Sequence, residues 1–262
     1  MTLDKGSLIL LDYTAKIKDT GEIFDTTRAD DAKQSSLYES NHKYEPRLVS
    51  VGDGWVLKGL DEALSNTNVG DNLTIEITPD KGFGERDPSK VRMMPQRKLG
   101  EKAAEIQVGD VVEIEERSGT VRYIGSGRVQ IDYNHRLAGK NLIYDVSIIK
   151  KLENNEEKIK NLIKRRLPID EEKIDFTIQD DGNLKIHIPE TMYLLEGLQI
   201  IKKAISNDIF KYIQEIKNLQ FVEDYQSTKK DDKSLESQSS GIPETEQVNS
   251  TTSEEEKTIQ QT

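Results

Sequence analysis

The sequence predicts an α+β fold with three structured parts and a polar tail. Residues 1–85 contain several short runs of β-branched and alternating apolar residues around one stretch with helical spacing. Residues 86–135 contain short alternating runs separated by glycine turns, which is typical of a small β-meander. Residues 154–225 follow the order helix, strand, strand, helix, strand, which indicates a small α+β domain.

The first part is predicted to be mainly β-structure. A strand at 8–17 is followed by a turn and by a second extended stretch at 22–25, and we expect a long polar loop at 26–46. A strand at 47–51 leads into a short amphipathic helix at 56–65. A half-buried strand at 73–77 then alternates apolar and polar residues.

Turn motifs and alternating apolar residues also predict the strands of the later parts. Val108-Gly109-Asp110 repeats the pattern of Val69-Gly70-Asp71, and each motif precedes an alternating strand. Further strands are predicted at 121–124, 129–133 and 142–150. The helix that begins at Glu156 has to end before Pro168, because proline disfavours helical geometry in the residue that precedes it.

Composition excludes several classes of function. The formal net charge of -11 argues against nucleic acid or an anionic membrane as a partner. The absence of cysteine excludes disulfides and thiolate nucleophiles, and the three histidines lie far apart in the sequence. No apolar run reaches the roughly 18 residues of a membrane span, so we expect a soluble, cytoplasmic protein. Residues 226–262, which contain no aromatic residue, are expected to form a disordered acidic tail.

The sequence lacks several common catalytic and cofactor-binding motifs. Gly52-Asp53-Gly54 begins like a dinucleotide-binding loop, but Leu57 stands where the third glycine would be. The sequence contains neither a Gly-x-Ser-x-Gly elbow nor a His-Glu-x-x-His pair. We therefore expect non-covalent chemistry that uses no metal and no cofactor.

Several motifs that occur in a fixed order are more specific than these single features. They are Tyr13, Phe24-Asp25, Gly52-Asp53-Gly54-Trp55-Val56-Leu57-Lys58-Gly59-Leu60, Pro79-Asp80-Lys81-Gly82-Phe83-Gly84 and Asn134-His135-Arg136-Leu137-Ala138-Gly139. Over residues 3–150 they resemble the FKBP-type peptidyl-prolyl isomerases of the SlyD-like branch, whose flap carries an inserted chaperone domain. The 26–46 segment and the C-terminal part are similar to those of long archaeal members of that family.

The resemblance implies a half-open antiparallel β-barrel around a short helix. It also implies the domain boundaries: an isomerase domain at 1–85 plus 136–152, an inserted flap domain at 86–135, and a C-terminal α+β domain at 153–225. The partners it implies are unfolded or proline-containing polypeptides, and a homodimer through the C-terminal domain is a possible assembly.

The resemblance also implies which side chains surround the prolyl ring. The expected catalytic residues are Tyr13, Asp25, Phe83 and Tyr144, and the expected substrate-binding residues are Phe24, Trp55, Val56, Leu57 and Leu60. For a lone phenylalanine or leucine, an ordinary core position is the alternative. Highly active members of the family often have an aromatic residue in place of Leu60 and a tyrosine in place of Phe83, so we expect modest turnover.

Asp25 needs a special local structure. It follows Phe24 directly, so in a regular strand the two side chains would face opposite sides unless the strand bends. Its carboxylate also needs a hydrogen-bond donor at the rim of an apolar pocket, which Tyr13 could supply.

The insert is expected to bind clients through Met93 and Met94, because flexible methionine suits promiscuous apolar contacts. Their alternative role is to fill a small core, and His135 is expected to be structural. Two functions stay open from the sequence: an isomerase with folding-chaperone activity, and a non-catalytic module that only holds unfolded chains.

Overall fold

The computed structural model describes residues 2–65 and 67–226, and the first compact unit of the chain ends at Asp224. The predicted tail lies outside these residues except for position 226. The described strands are β1 (Leu8–Ile17), β2 (Ile23–Thr26), β3 (Arg47–Ser50), β4 (Asn72–Ile77), β5 (Val91–Pro95), β6 (Val111–Ile114), β7 (Arg117–Gly125), β8 (Arg128–Asp132), β9 (Leu142–Lys151), β10 (Asp175–Ile178), β11 (Asn183–His187) and β12 (Asn218–Val222). The α-helices are α1 (Ala29–Gln34), α2 (Lys58–Leu64), α3 (Asn155–Lys164) and α4 (Leu198–Tyr212). The predicted α+β class is confirmed.

The first sheet is antiparallel, and β1 lies at its centre. β9 pairs with β1 along one side, while β3 and β2 share the other side, and β4 adds to the outer edge of β9. The helix α2 covers one face, where Leu60 and Leu64 are buried among side chains of β1, β4 and β9. The half-open form around a short helix is therefore present.

Gly59 permits the close approach of α2 to the sheet. A Cβ atom at this position would lie 2.8 Å from a methyl carbon of Ile77, which is closer than carbon atoms tolerate. A larger residue here would push α2 away from β4.

The second sheet belongs to the insert and has the order β5-β8-β7-β6. Its small core consists of Val121, Val129 and Ile131, with partly buried neighbours around them. The predicted meander accounts for β6, β7 and β8, whereas the edge strand β5 is an addition that the sequence analysis did not predict.

The third sheet follows α3 and has the order β10-β11-β12, in which β11 and β12 are parallel and are connected through α4. Asn154 caps α3, since its side chain accepts a hydrogen bond from the backbone N–H of Glu156 at 2.7 Å. This arrangement confirms the predicted order of helices and strands at 154–225.

One core joins the third sheet to the first. The cluster that contains the buried side chains of α3 and α4 also contains Leu8, Leu48 and Leu152. β1 is thus buried on both faces in its first half, toward α2 on one side and toward the C-terminal helices on the other.

One expectation about the first part is wrong. The segment 26–46 is not a continuous loop, because α1 occupies Ala29–Gln34. Only Ala32 of this helix is buried, so its sequence shows no apolar periodicity. None of the helices in the described part of the chain has the length and apolar composition needed to cross a membrane.

Candidate functional site

A bulge in β2 brings Phe24 and Asp25 to the same side of the sheet. Asp25 pairs with Ala15 and Ile23 pairs with Lys16, so Phe24 is the extra residue between two successive pairs. Phe24 packs against the core cluster of the first sheet, and Asp25 meets Tyr13, which belongs to that cluster. The bend that the sequence analysis required is therefore present.

A hydrogen-bonded trio forms the polar rim of this side. The Tyr13 hydroxyl donates to Asp25 Oδ2 at 2.7 Å, and Arg47 Nη1 donates to the Tyr13 oxygen at 2.6 Å. The Arg47 guanidinium also lies 3.7 Å from Asp25 Oδ2. Tyr13 is buried, whereas the side chains of Asp25 and Arg47 are 43% and 56% exposed. The rim therefore offers charged groups to the solvent above a buried phenol.

The Tyr13 phenol stays protonated. Burial raises its pKa, and the positive charge of Arg47 offsets this only in part. Burial also raises the pKa of Tyr144. Both hydroxyl groups are consequently neutral at physiological pH, and Tyr13 acts as a donor to Asp25.

An aromatic cluster lies beside the rim. The ring centroids of Tyr13 and Tyr144 are 5.6 Å apart, those of Phe24 and Tyr144 are 6.1 Å apart, and those of Phe24 and Phe83 are 6.2 Å apart. His135 stacks on Phe83 at 4.5 Å with nearly parallel rings. The sheet, the segment after β4 and the end of the insert thus contribute to one apolar surface.

The segment before α2 contributes aliphatic side chains to the same core. Val56 and Leu57 are partly buried against the cluster, and Leu60 is fully buried within it. Leu60 is therefore the most deeply buried of the three. Five of the expected residues, Tyr13, Phe24, Asp25, Phe83 and Tyr144, are connected by direct contacts.

Trp55 is placed differently from the other expected residues. Its ring packs against the cluster of the C-terminal part, 3.6 Å from the Arg165 guanidinium carbon and 5.5 Å from the Tyr212 ring. The structure does not bring Trp55 into the aromatic cluster of Phe24 and Tyr144.

A cavity of about 520 Å³ connects the polar rim with the C-terminal part. Tyr13, Asp25, Arg47 and Trp55 line it on one side, and residues of α3 and its end line it on the other: Asn161, Lys164 and Arg165. A bound polypeptide that reaches the rim would therefore also meet α3.

The two methionines of the insert face opposite sides of β5. Met93 is 47% exposed, whereas Met94 packs against the small core of the insert. The structure places Met94 in the core position that was its alternative role.

The two chain segments that enter and leave the insert are bonded to each other. The Asp132 carboxylate, 3% exposed, accepts hydrogen bonds from Arg86 at 2.7 Å and from the Asn134 side chain at 2.7 Å. Gly139 donates its backbone N–H to the Gly84 carbonyl at 2.8 Å. In the same region the backbone N–H of Leu137 donates to His135 Nδ1 at 3.2 Å.

Two parts of the site were missed by the sequence analysis. Arg47 begins β3 and carries no motif of its own, and its approach to Tyr13 depends on the pairing of β3 with β1. Arg165 lies in a separate part of the chain, and no local pattern connects it with Trp55.

Three family models match the chain. A model described as FKBP-type peptidyl-prolyl cis-trans isomerase matches residues 1–108, and one described as FKBP26, IF domain matches residues 92–137. A third, described as FKBP26 C-terminal, matches residues 155–226.

Curated relatives point to the same family. The short-type peptidyl-prolyl cis-trans isomerase of Methanocaldococcus jannaschii is 29% identical over 56% of this chain and 92% of its own length. The probable FKBP-type 16 kDa isomerase of Pseudomonas fluorescens is 33% identical over 42% of this chain and 76% of its own length. The Escherichia coli FKBP-type 16 kDa isomerase is 27% identical over 56% of this chain and 93% of its own length. The chain therefore belongs to the FKBP-type peptidyl-prolyl cis-trans isomerases, which rotate the peptide bond before proline in polypeptide substrates.

Proposed function

We propose that X-Pro bonds rotate in the apolar pocket that Tyr13, Phe24, Phe83 and Tyr144 surround, with Val56, Leu57 and Leu60 as wall and base. The observation that carries this proposal is the continuous aromatic cluster beside the Tyr13–Asp25–Arg47 rim. The ring of proline is apolar and fits such a surface, and the rim supplies polar groups for the flanking backbone.

The proposed mechanism follows from the bond that rotates. Amide resonance imposes a barrier of about 18–20 kcal/mol, and resonance is lost when the bond is twisted. The twisted amide is less polar than the planar one, so an apolar pocket favours it over the planar form. Rate enhancement then comes from tighter binding of the twisted state and needs no nucleophile.

We further propose that the chain is divided into an isomerase domain at 1–85 plus 136–152, an insert at 86–135, a C-terminal domain at 153–225 and a tail from 226. The insert would hold unfolded clients through Met93 and other exposed apolar side chains such as Val111 and Tyr123. This would give the chain a folding-chaperone activity in addition to isomerisation.

Two further proposals concern the setting of the protein. We propose that it acts in the cytoplasm, and that it forms a homodimer through the C-terminal domain. The exposed apolar side chains of Leu194 and Ile200 near the start of α4 support self-association. Light scattering of the full chain measures the assembly directly.

The decisive experiment on the site is Asp25→Asn, which keeps the shape of the side chain and removes its charge. We expect kcat/KM on a short prolyl peptide to fall roughly tenfold, because the amide still accepts from Tyr13 but lacks the negative charge that faces Arg47. The melting temperature should change little, since the Asp25 carboxylate is 43% exposed.

Asp145→Asn is the matched control. The Asp145 carboxylate lies on the same sheet but bonds to Lys16 at 2.6 Å and to Thr74 at 2.8 Å, away from the rim. Its removal should leave kcat/KM unchanged. Equal kcat/KM for Asp25→Asn and the parent would show that the charge of Asp25 has no role in catalysis.

A further inference from the structure

We infer that the C-terminal part is a working component of the isomerase site: Arg165, Lys211 and Tyr212 are positioning residues that hold the 52–57 segment and thereby the Val56–Leu57 wall of the pocket. This inference rests on the proposed prolyl pocket. It assigns to the C-terminal part a role in substrate binding.

The 52–57 segment is anchored from inside by α2. The Asp61 carboxylate accepts hydrogen bonds from the backbone N–H of Gly52 at 2.7 Å and of Gly54 at 2.9 Å. Both glycines have positive φ, at 77° and 68°, which is a conformation that other residues rarely adopt. The backbone of the turn is thus tied to the helix, and the side chains of Asp53 and Trp55 make separate contacts with the C-terminal part.

The second support for the tip comes from α4. Asp53 accepts hydrogen bonds from the Tyr212 hydroxyl at 2.7 Å and from Ser50 at 2.5 Å, and its carboxylate lies 2.9 Å from Lys211 Nζ. The Asp53 side chain is only 12% exposed. Hydrogen bonds to a shielded carboxylate are stronger than those between neutral groups, so this contact ties the turn to α4.

Trp55 is held on two sides by the same unit. The Arg165 guanidinium lies over the indole at 3.6 Å, and the Tyr212 ring meets it edge-on at 5.5 Å and 88°. Arg165 is fixed in turn by Asp208, at 3.4 Å. A cation over a tryptophan face is the most favourable pairing of its kind, so the orientation of the indole depends on α3.

The covalent chain carries this support into the pocket. Val56 and Leu57 follow Trp55 directly, and both pack against the core of the isomerase sheet. A shift of the Trp55 backbone therefore displaces the pocket wall. Displacements of about 1 Å in a substrate-positioning element are enough to change enzymatic rates strongly.

The test uses Trp55 as its own reporter, because it is the only tryptophan in the chain. We propose Arg165→Met, Arg165→Lys and Tyr212→Phe in the full chain, with kcat and KM measured on a short prolyl peptide. For Arg165→Met we expect KM to rise roughly three- to tenfold with a smaller change in kcat, because the wall contributes to binding. Trp55 emission should shift to longer wavelength, and acrylamide should quench it more strongly.

The other two variants test which contact of the C-terminal part is responsible for the rise in KM. Arg165→Lys keeps the cation but loses the planar stack, so its KM should lie between those of the parent and Arg165→Met. Tyr212→Phe keeps the ring beside Trp55 and removes the hydrogen bond to Asp53, so it should raise KM even if Arg165→Met fails to fold.

Arg166→Met is the matched control. Arg166 binds the same Asp208 carboxylate at 3.0 Å and carries the same charge as Arg165. Its removal should leave both KM and Trp55 emission at parental values. An equal rise in KM for Arg166→Met and Arg165→Met would overturn the inference, because loss of charge near Asp208 would then explain it.

Leu57→Ser separates this inference from the proposed pocket. If Leu57→Ser leaves KM unchanged, the pocket assignment itself fails. If Leu57→Ser raises KM while Arg165→Met and Tyr212→Phe alter Trp55 emission without altering KM, the pocket stands and the positioning role is wrong.

Discussion

The negatively charged Asp53 side chain connects the first part of the chain with the C-terminal part, because it binds Ser50 as well as Lys211 and Tyr212. Burial alone would raise its pKa, but hydrogen bonds from Ser50, Lys211 and Tyr212 outweigh burial and lower the pKa to about 2, from an ordinary value of 3.8. Because the folded pKa is the lower one, the ionised carboxylate stabilises the fold. That contribution is fully present above about pH 4 and is lost as the pH falls toward 2.

Asp53→Asn should therefore destabilise the protein in a pH-dependent way. At pH 6 we expect the free energy of unfolding to fall by on the order of 1–2 kcal/mol, since solvent screening reduces the full effect of the pKa shift. At pH 2 the difference between variant and parent should nearly vanish. Chemical denaturation at the two pH values measures it.

The control for this experiment is Asp30→Asn, because the Asp30 carboxylate is 91% exposed. It should change stability little at either pH. A pH-independent loss for Asp53→Asn would mean that shape, and not charge, holds the turn.

Part of the polar rim formed by Tyr13, Asp25 and Arg47 could be predicted from the sequence. The need of Asp25 for a donor and for a bent strand could be derived from its position after Phe24, and both the Tyr13 hydrogen bond and the bulge are present. Arg47 could not be found in this way. Its approach to Tyr13 depends on the register of β3 against β1, which pairs Arg47 with Leu11 and which no local pattern specifies.

The edge strand β5 places its two methionines in different environments. Its side chains alternate, so Met93 faces solvent while Met94 faces the core of the insert. Only the exposed position is available to an unfolded client.

Exchanging these two methionines for serine one at a time should give opposite results. Met93→Ser should weaken the suppression of client aggregation and leave the melting temperature unchanged. Met94→Ser should lower stability by about 2 kcal/mol or more, because it removes apolar volume from a core and inserts a hydroxyl.

Thermal unfolding and an aggregation assay, run on both variants, measure the two effects. If Met93→Ser suppresses aggregation as well as the parent, the client surface does not include Met93. The pair serves as its own control, since both changes remove the same side chain from the same strand.

Most strands and helices could be predicted from periodicity, and the two that were missed lack it for physical reasons. α1 is short and polar and buries only Ala32, so nothing in its sequence distinguishes it from a loop. β5 follows Pro88 closely, ends at Pro95 and pairs only with β8, at the edge of its sheet. Proline near an extended run argues against a strand, although edge positions tolerate it.

The first sheet and the C-terminal helices share one apolar core. Leu8, Leu48 and Leu152 are buried together with the C-terminal helices, and Leu10 packs against the same cluster. The first sheet would therefore present an apolar face to water if the C-terminal part were removed.

A chain of residues 1–152 should accordingly self-associate and bind a dye specific for exposed apolar surface. Adding Leu10→Thr and Leu48→Thr to the truncated chain should reduce both effects, because these side chains lie on the uncovered face. The same two changes in the full chain should lower its melting temperature. Light scattering measures the self-association, and dye fluorescence measures the exposed apolar surface. A truncated chain that stays monomeric without the threonines would show that this face tolerates water.

The sequence contains a signal for this covered face. Leu8-Ile9-Leu10-Leu11 is apolar at every position, whereas a strand with one wet face alternates. Such a run indicates burial on both sides, and β1 is buried on both sides there. What the run cannot specify is the element that covers the second face, because that element lies far along the chain.

The shared core also sets an order of events during synthesis. β1 leaves the ribosome early, but α4, which helps to cover the second face of β1, begins only at Leu198. At about 5–20 residues per second, roughly ten to forty seconds separate the two. Until α4 has emerged, the apolar side chains around Leu8 and Leu48 lack the part of their cover that α4 provides. An isomerase whose substrates are polypeptides is therefore itself, for a time, a chain with exposed apolar surface that a chaperone would recognise.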